Sequence, residues 1–259
     1  MQFQADHYVT GKNPHLPCAD AALSCAAPVP FAGVADGCSS SPESHIGAQL
    51  LVAAARREVS KGGGAAGVGT AALRRAVRAA RALSLPVSAL DATLLTAVVR
   101  GDSVTVHVYG DGVMAARRRG TGEMETIRLH FDSGAPFYLA YRLNSHRRER
   151  YFQEFPGALR VFRNGAEGQI LDPETPAIFR FPLADYDRVL VSSDGLSAVI
   201  GPDGSLPTAE AVDAVTAFKT TAGAFLQRRT RRALAEWKRA GGSVADDLGL
   251  AALLWEAEA

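Results

Sequence analysis

Charge of one sign is what this 259-residue chain most lacks, since 28 lysines and arginines stand against 27 aspartates and glutamates. That balance gives no global electrostatic reason to bind nucleic acid or an anionic membrane, so partners must be recognised locally. No apolar run approaches the roughly 18 to 20 residues that span a bilayer, and the opening Met1-Gln-Phe-Gln-Ala-Asp6 is not a basic and then apolar leader. Cysteine is scarce as well. Cys18, Cys25 and Cys38 are too few, and odd in number, for a disulfide framework, and they point to a reducing compartment. A soluble, cytoplasmic protein is therefore expected, with neither nucleic acid nor membrane as a partner. A hydrophobic content of 47% suffices for one sizeable core, and a single domain over residues 1–259 is expected.

What the chain does have is aspartate at the ends of apolar runs. Phe31-Ala-Gly-Val-Ala-Asp36-Gly37 runs into a serine-rich turn, Val189-Leu-Val-Ser-Ser-Asp194-Gly195 repeats the pattern, and Val244-Ala-Asp246-Asp247 precedes a last apolar segment. A buried strand has no use for an unpaired carboxylate, so these residues belong to one acidic site at the mouth of the core. Asp20, at the start of the strand Ala21 to Ala26, is a further candidate.

Between these points the patterns change period. Gln2 to Thr10 reads as a strand ended by the turn Gly11-Lys12-Asn13-Pro14. Ser41-Pro42-Glu43 reads as a helix start, with serine as cap and proline at the first helical position. Lys61 to Gly69 is a glycine-rich connector, and Thr70 caps a second amphipathic helix with Leu73, Val77, Ala80 and Leu83 on one face. From Leu90 to Phe131 apolar residues alternate, predicting an antiparallel meander with turns at Gly101, at Gly110-Asp111-Gly112 and at Gly120. The stretch 143–164 has no legible period, and its arginines Arg147, Arg148 and Arg150, like Arg228, Arg229, Arg231 and Arg232, read as solvated faces. Helices from Thr208 and from Gly223 to Arg239 precede an apolar strand, Leu248 to Trp255. This order predicts an α+β fold: a four-layer αββα sandwich, with two central antiparallel sheets flanked by helix pairs.

Carboxylates about 4 Å apart repel by roughly 4 kcal/mol per pair at an effective dielectric near 20, and hard divalent cations remove that repulsion. Ligation by oxygen alone selects Mg²⁺ or Mn²⁺, and no Cys/His set has zinc spacing. Two such ions suit attack of water on phosphorus.

The residues at this point resemble a family, the metal-dependent serine/threonine protein phosphatases of type 2C, and in particular a bacterial branch. The likeness rests on Gly11 to His15 with Cys18-Ala19-Asp20-Ala21, Val34-Ala-Asp36-Gly37 with Gly47-Ala48, Asp91-Ala-Thr-Leu-Leu95, Tyr109-Gly-Asp111-Gly112, Val191-Ser-Ser-Asp194-Gly195-Leu196 and Asp246-Asp247, all in the family's order. It implies that Asp36 bridges two ions, Mg²⁺ or Mn²⁺, which the Gly37 carbonyl also reaches, and that Asp194 and Asp246 complete the shell. Asp20 binds directly or through water, and Asp36 and Asp20 are the catalytic carboxylates. Asp111 marks a weaker third ion, although Gly-Asp-Gly also suits a hairpin. Lys12 or His15 would reach the phosphate, the loop having no arginine. The implied substrate is a phosphorylated protein, opposite a serine/threonine kinase. Ala19 and Ala198 stand where many members have polar or acidic residues, and they motivate an alternative: a phosphoprotein-binding module with weak or no turnover.

Overall fold

In the computed structural model, which describes residues 1–62 and 67–256, strands and helices follow the predicted order. The chain opens with β1 (Gln2–Thr10), β2 (Asp20–Cys25) and β3 (Phe31–Asp36), then α1 (Ser44–Ser60) and α2 (Val68–Ala82). Next come β4 (Leu94–Arg100), β5 (Ser103–Tyr109), β6 (Gly112–Arg118), β7 (Met124–Phe131), α3 (Ser145–Glu154), β8 (Leu159–Arg163), β9 (Ala166–Leu171), β10 (Ala177–Pro182) and β11 (Tyr186–Ser192). The last part holds β12 (Val199–Gly201), β13 (Gly204–Ser205), α4 (Thr208–Thr216), α5 (Phe225–Arg239), β14 (Ser243–Val244) and β15 (Leu248–Glu256).

Two antiparallel sheets stack face to face. One has seven strands in the order β1-β15-β11-β6-β7-β8-β9, the other five in the order β10-β5-β4-β3-β2. Val34, Leu95, Val106 and Val108 from one sheet meet Met114, Ile127, Val191 and Leu253 from the other in the central core. The opposite faces are apolar too, as alternation requires when both sides of a strand are covered. Phe31, Leu94 and Val98 pack under α1 and α2, while Leu190, Leu250 and Leu254 pack under α4 and α5. The first-turn amides of Leu226 and Gln227 in α5 are capped from β1, where Asp6 Oδ2 accepts both at 2.7 and 3.1 Å. The expected four-layer αββα sandwich is observed, with a small three-stranded sheet, β13-β12-β14, added beside it.

Several local expectations are corrected. The first long helix begins at Ser44 after Glu43 takes a left-handed conformation (φ 54°), so Ser41 is not its cap. Its hydroxyl donates instead to Asp91 Oδ2 at 2.9 Å. Thr70 lies inside α2, whose N-cap is Gly67. The glycine-rich connector falls in part on 63–66, outside the described residues. The meander is split. Because β5 and β6 belong to different sheets, Gly110-Asp111-Gly112 carries the chain across the sandwich and closes no hairpin. The illegible 143–164 stretch forms α3 and β8, and Asn144 caps α3 by accepting from the amides of His146 and Arg147.

Arg147 is not on a solvated face. Its guanidinium donates to Asp91 Oδ2 at 2.6 Å and stacks on the Tyr141 ring, and the Asp91 side chain is only 4% exposed. α3 is thereby fastened to the segment that leads into β4. Removing one partner of such a pair strands the other without countercharge. Arg147→Met is therefore expected to cost about 3 kcal/mol in urea unfolding, and to speed limited proteolysis within 132–155.

Candidate functional site

The acidic residues collect at one end of the sandwich because the strand register delivers them there. Asp20 at the head of β2 is the register partner of Asp36 at the tail of β3, so the two side chains face the same way as direct neighbours. β11 ends at Ser192, and the turn that follows carries Asp194. Asp111 arrives on the crossing between sheets, and Asp246 on the turn before β15.

Hydrogen bonds hold this arrangement from behind. Ser193 Oγ donates to Asp20 Oδ2 at 2.6 Å and itself accepts from the Gly249 amide at 3.0 Å. Asp36 is held through its backbone, its N–H donating to Thr93 Oγ1 at 3.1 Å and its carbonyl accepting from the Thr93 amide at 2.9 Å. Two glycines permit the close packing. A Cβ on Gly37 would stand 2.8 Å from the Ser44 carbonyl and 2.9 Å from that of Ala19; on Gly195 it would lie 1.9 Å from the Asp247 carbonyl. The Asp-Gly sequence at both strand ends is thus a packing requirement.

Burial and mutual repulsion set the electrostatics. Burial, with the charge of Asp194 and Asp247 adding to it, pushes the Asp20 carboxyl up to about 7 against the Ser193 hydrogen bond. Burial and the Asp194 charge push Asp111 up to about 8. Asp36 is raised well above the usual carboxylate range by burial and by Asp20, Asp194 and Asp111, and Asp194 is raised by burial and Asp246. Asp20 Oδ1 and Asp194 Oδ1 are buried with no hydrogen-bond partner. Unsatisfied carboxylate oxygens of this kind fit a hard cation.

Asp246 is turned outward. Its Oδ1 accepts from Lys12 Nζ at 2.7 Å and from the Asp247 amide at 2.8 Å, and its side chain is 44% exposed. Accordingly, among the described residues no group of three His, Cys, Asp or Glu side chains is arranged to hold a metal ion as it stands. The donor chemistry suits Mg²⁺ or Mn²⁺, and the orphaned oxygens of Asp20 and Asp194 provide places for them. Asp246 would first have to leave Lys12.

A cleft of about 390 Å³ opens over this end, lined by Lys12, Asp36, Gly37, Cys38, Asp194 and Asp246 among others. Asp20 and Asp111 lie beneath it, 3% and 6% exposed. His15 is exposed, its amide donating to Asn13 Oδ1, and it does not line the cleft. Cys38 lines it, half-buried, with Sγ 3.1 Å from Ser40 Oγ.

Two residues were missed in the sequence. Asp247 accepts from the amides of Lys12 (2.8 Å) and Ala19 (2.6 Å), and so clamps both ends of the loop that precedes Asp20. Asp91 organises the other rim through Ser41 and Arg147. Asp247 was legible only as the second of a pair of aspartates, with nothing local to separate its role from that of Asp246. Asp247→Ala would strand two amide donors, and a loss of about 2 to 4 kcal/mol in chemical denaturation is expected.

The sequence profile of the protein phosphatase 2C family matches residues 10–238. No curated protein matches in sequence. Among solved structures, the phosphatase domain of SpoIIE with a fragment of its regulatory domain, from Bacillus subtilis, superposes with a TM-score of 0.60 at 12% identity; all of this chain is covered, and 65% of that one. The Mycobacterium tuberculosis serine/threonine phosphatase PstP/Ppp gives 0.58 at 17% identity over 99% of this chain and 100% of that. A PstP catalytic domain in complex with two manganese ions gives 0.55 at 14% identity, with 98% of each chain covered. These similarities are of fold.

Proposed function

The chain belongs to the protein phosphatase 2C family, and from that premise we propose that it is a Mg²⁺- or Mn²⁺-dependent phosphatase that releases phosphate from phosphoserine or phosphothreonine in proteins. The observation that carries this reading is a set of four aspartates at one open cleft, Asp36 and Asp194 lining it and Asp20 and Asp111 buried beneath, with orphaned oxygens on Asp20 and Asp194. When bound, two divalent ions would clamp phosphoryl oxygens and acidify a water for attack on phosphorus.

The chain's own groups divide the remaining work. Asp36, the Gly37 carbonyl, Asp194 and, once free of Lys12, Asp246 would hold the ions, with Asp20, oriented by Ser193, beside them. Asp111 is the candidate for a weaker third ion. Lys12, in the cleft, is the cation available to a phosphate once it parts from Asp246; His15 keeps a place in this proposal only if the loop moves. Attack is direct, with no phosphoenzyme. The expected partner is a phosphoprotein set against a serine/threonine kinase, in a reducing compartment such as the cytoplasm, where the three free thiols are at home.

Release of phosphate from a phosphothreonine peptide with Mn²⁺, abolished by EDTA, is the expected result. A peptide left intact at every Mn²⁺ concentration would overturn the reading. One observation favours a second reading, a phosphoprotein-binding module without turnover: Lys12 already neutralises Asp246, next to the substituted Ala19 loop. Calorimetric titration with Mn²⁺ separates the two, since a module that has given up the ions shows no heat of binding.

A further inference from the structure

At the far end of the seven-stranded sheet, where Gln2 pairs with Glu256, lies a second concavity. Eight residues of β1 separate that end from the Thr10–Leu248 end that carries the acidic cleft, about 26 Å of strand. The pocket has a volume of about 130 Å³, and its wall includes Gln4, Arg117, Arg119, Arg188, Asp187 and Trp255. Three arginines in so small a space stand against two carboxylates in its wall, Asp187 and Glu256.

Asp187 is fully engaged by Arg117, which donates to its Oδ1 from Nε at 2.8 Å and to its Oδ2 from Nη2. Arg188 Nε is left 3.6 Å from Asp187 Oδ1, beyond hydrogen-bond reach, and it is buried without any hydrogen-bond partner. The rest of the Arg188 guanidinium is pinned in place. Nη1 donates to the Thr216 carbonyl at 2.8 Å, and the plane stacks on Phe218 at 5.0 Å. Arg119 reaches the same wall from the turn after β6, its Nη2 donating to the Tyr186 carbonyl at 3.1 Å. Gln4 Oε1 is a second buried atom here with no partner. Turned about its last bond, that amide presents two N–H donors.

A buried, preorganised guanidinium with an N–H that makes no hydrogen bond, beside two more arginines and an amide, has the donor geometry of an oxyanion receptor. We propose that this pocket binds a small free tetrahedral oxyanion, phosphate or sulfate, held by Arg188, Arg119 and the Gln4 amide. The Arg188 guanidinium is also pushed down to about 10 by burial and by the neighbouring Arg117 charge, a penalty that a bound anion relieves. A structural role for Arg188 accounts for its bond to Thr216, its stacking on Phe218 and its ion pair with Asp187, but it gives Nε no hydrogen-bond acceptor and leaves the Gln4 oxygen unexplained. The site does not depend on the proposed activity.

The probe is inorganic phosphate, titrated into the full chain in EDTA and followed by the fluorescence of Trp255 and by calorimetry. In EDTA the acidic cleft repels anions, so saturable binding reports the arginine pocket. Wild-type protein and Asp36→Asn are expected to bind alike. Arg188→Met and Arg119→Met, each deleting a charge-assisted donor, are expected to bind about tenfold more weakly or worse. Sulfate should compete with phosphate, while acetate, which is planar and singly charged, should compete poorly. Absence of saturable binding to wild-type protein, binding lost in Asp36→Asn, or undiminished binding to a folded Arg119→Met would each overturn the proposal. Should Arg188→Met fail to fold, Arg119→Met and Gln4→Leu carry the same comparison.

Discussion

Asp36→Asn is expected to lose phosphatase activity on a phosphothreonine peptide while gaining thermal stability in EDTA. The two effects have one origin. Asp36 is surrounded by Asp20, Asp194 and Asp111, and burial together with those charges raises its carboxyl well above the usual range. Replacing it by a neutral amide of the same shape removes the repulsion that the fold must otherwise contain. It also removes a carboxylate proposed to hold the ions. Loss of a partner one shell further out costs metal sites about 10 to 100-fold, so loss of this carboxylate should cost on the order of a hundredfold or more. Melting temperature in EDTA and turnover with Mn²⁺, measured on the same preparation, check both halves. A variant that kept its turnover would remove Asp36 from the proposed centre, and one that melted lower would show that the carboxylate is a structural partner.

The second large effect is the dependence of stability on pH. Asp20 and Asp111 are pushed up to about 7 and about 8, and Asp36 and Asp194 are raised in the same direction. In the unfolded chain these groups titrate near 3.9. Between the two ranges the folded protein holds protons that the unfolded chain has released, so the slope of unfolding free energy with pH is negative. The stability they contribute is complete below about pH 4 and is lost as pH rises through about 7 to 8. Their sum, moderated by coupling among them, is on the order of several kcal/mol. Urea unfolding in EDTA between about pH 5 and pH 8.5 should show this decline. Mn²⁺ at the upper pH should reverse it, because ions that bind only the folded carboxylates stabilise that state by mass action. A flat profile in EDTA would mean that the four carboxyl groups are less crowded than the register of β2 and β3 implies.

The legibility of this protein followed the range of the interactions. Apolar alternation in β4 to β7 and the amphipathic faces of α1, α2, α4 and α5 are local properties, and they appeared where the periods predicted, except that Leu83 lies just past α2 and is exposed. α3 was illegible because it carries little periodic apolar content of its own; it is held by the Asn144 cap and by Arg147 reaching a carboxylate that is 56 residues away in sequence. The crossing at Gly110-Asp111-Gly112 was equally ambiguous, since the glycines that bend a hairpin also bend a chain from one sheet to the next.

The candidate site divides along the same line. That aspartates followed by glycine at apolar strand ends belong together was decided by the sequence itself, because water-starved strand ends tolerate a carboxylate only where something answers its charge. What each carboxylate touches was decided only in three dimensions. Asp246 and Asp247 are adjacent and chemically identical, yet one turns outward to Lys12 and the other is consumed by the amides of Lys12 and Ala19. The arginines told the same story in reverse: in the sequence Arg147 and Arg188 were two cations among 28, and only packing buried one against Asp91 and left the other short of an acceptor. Hydrophobic period is written along the chain, whereas the pairing of charges depends on neighbours that the fold alone supplies.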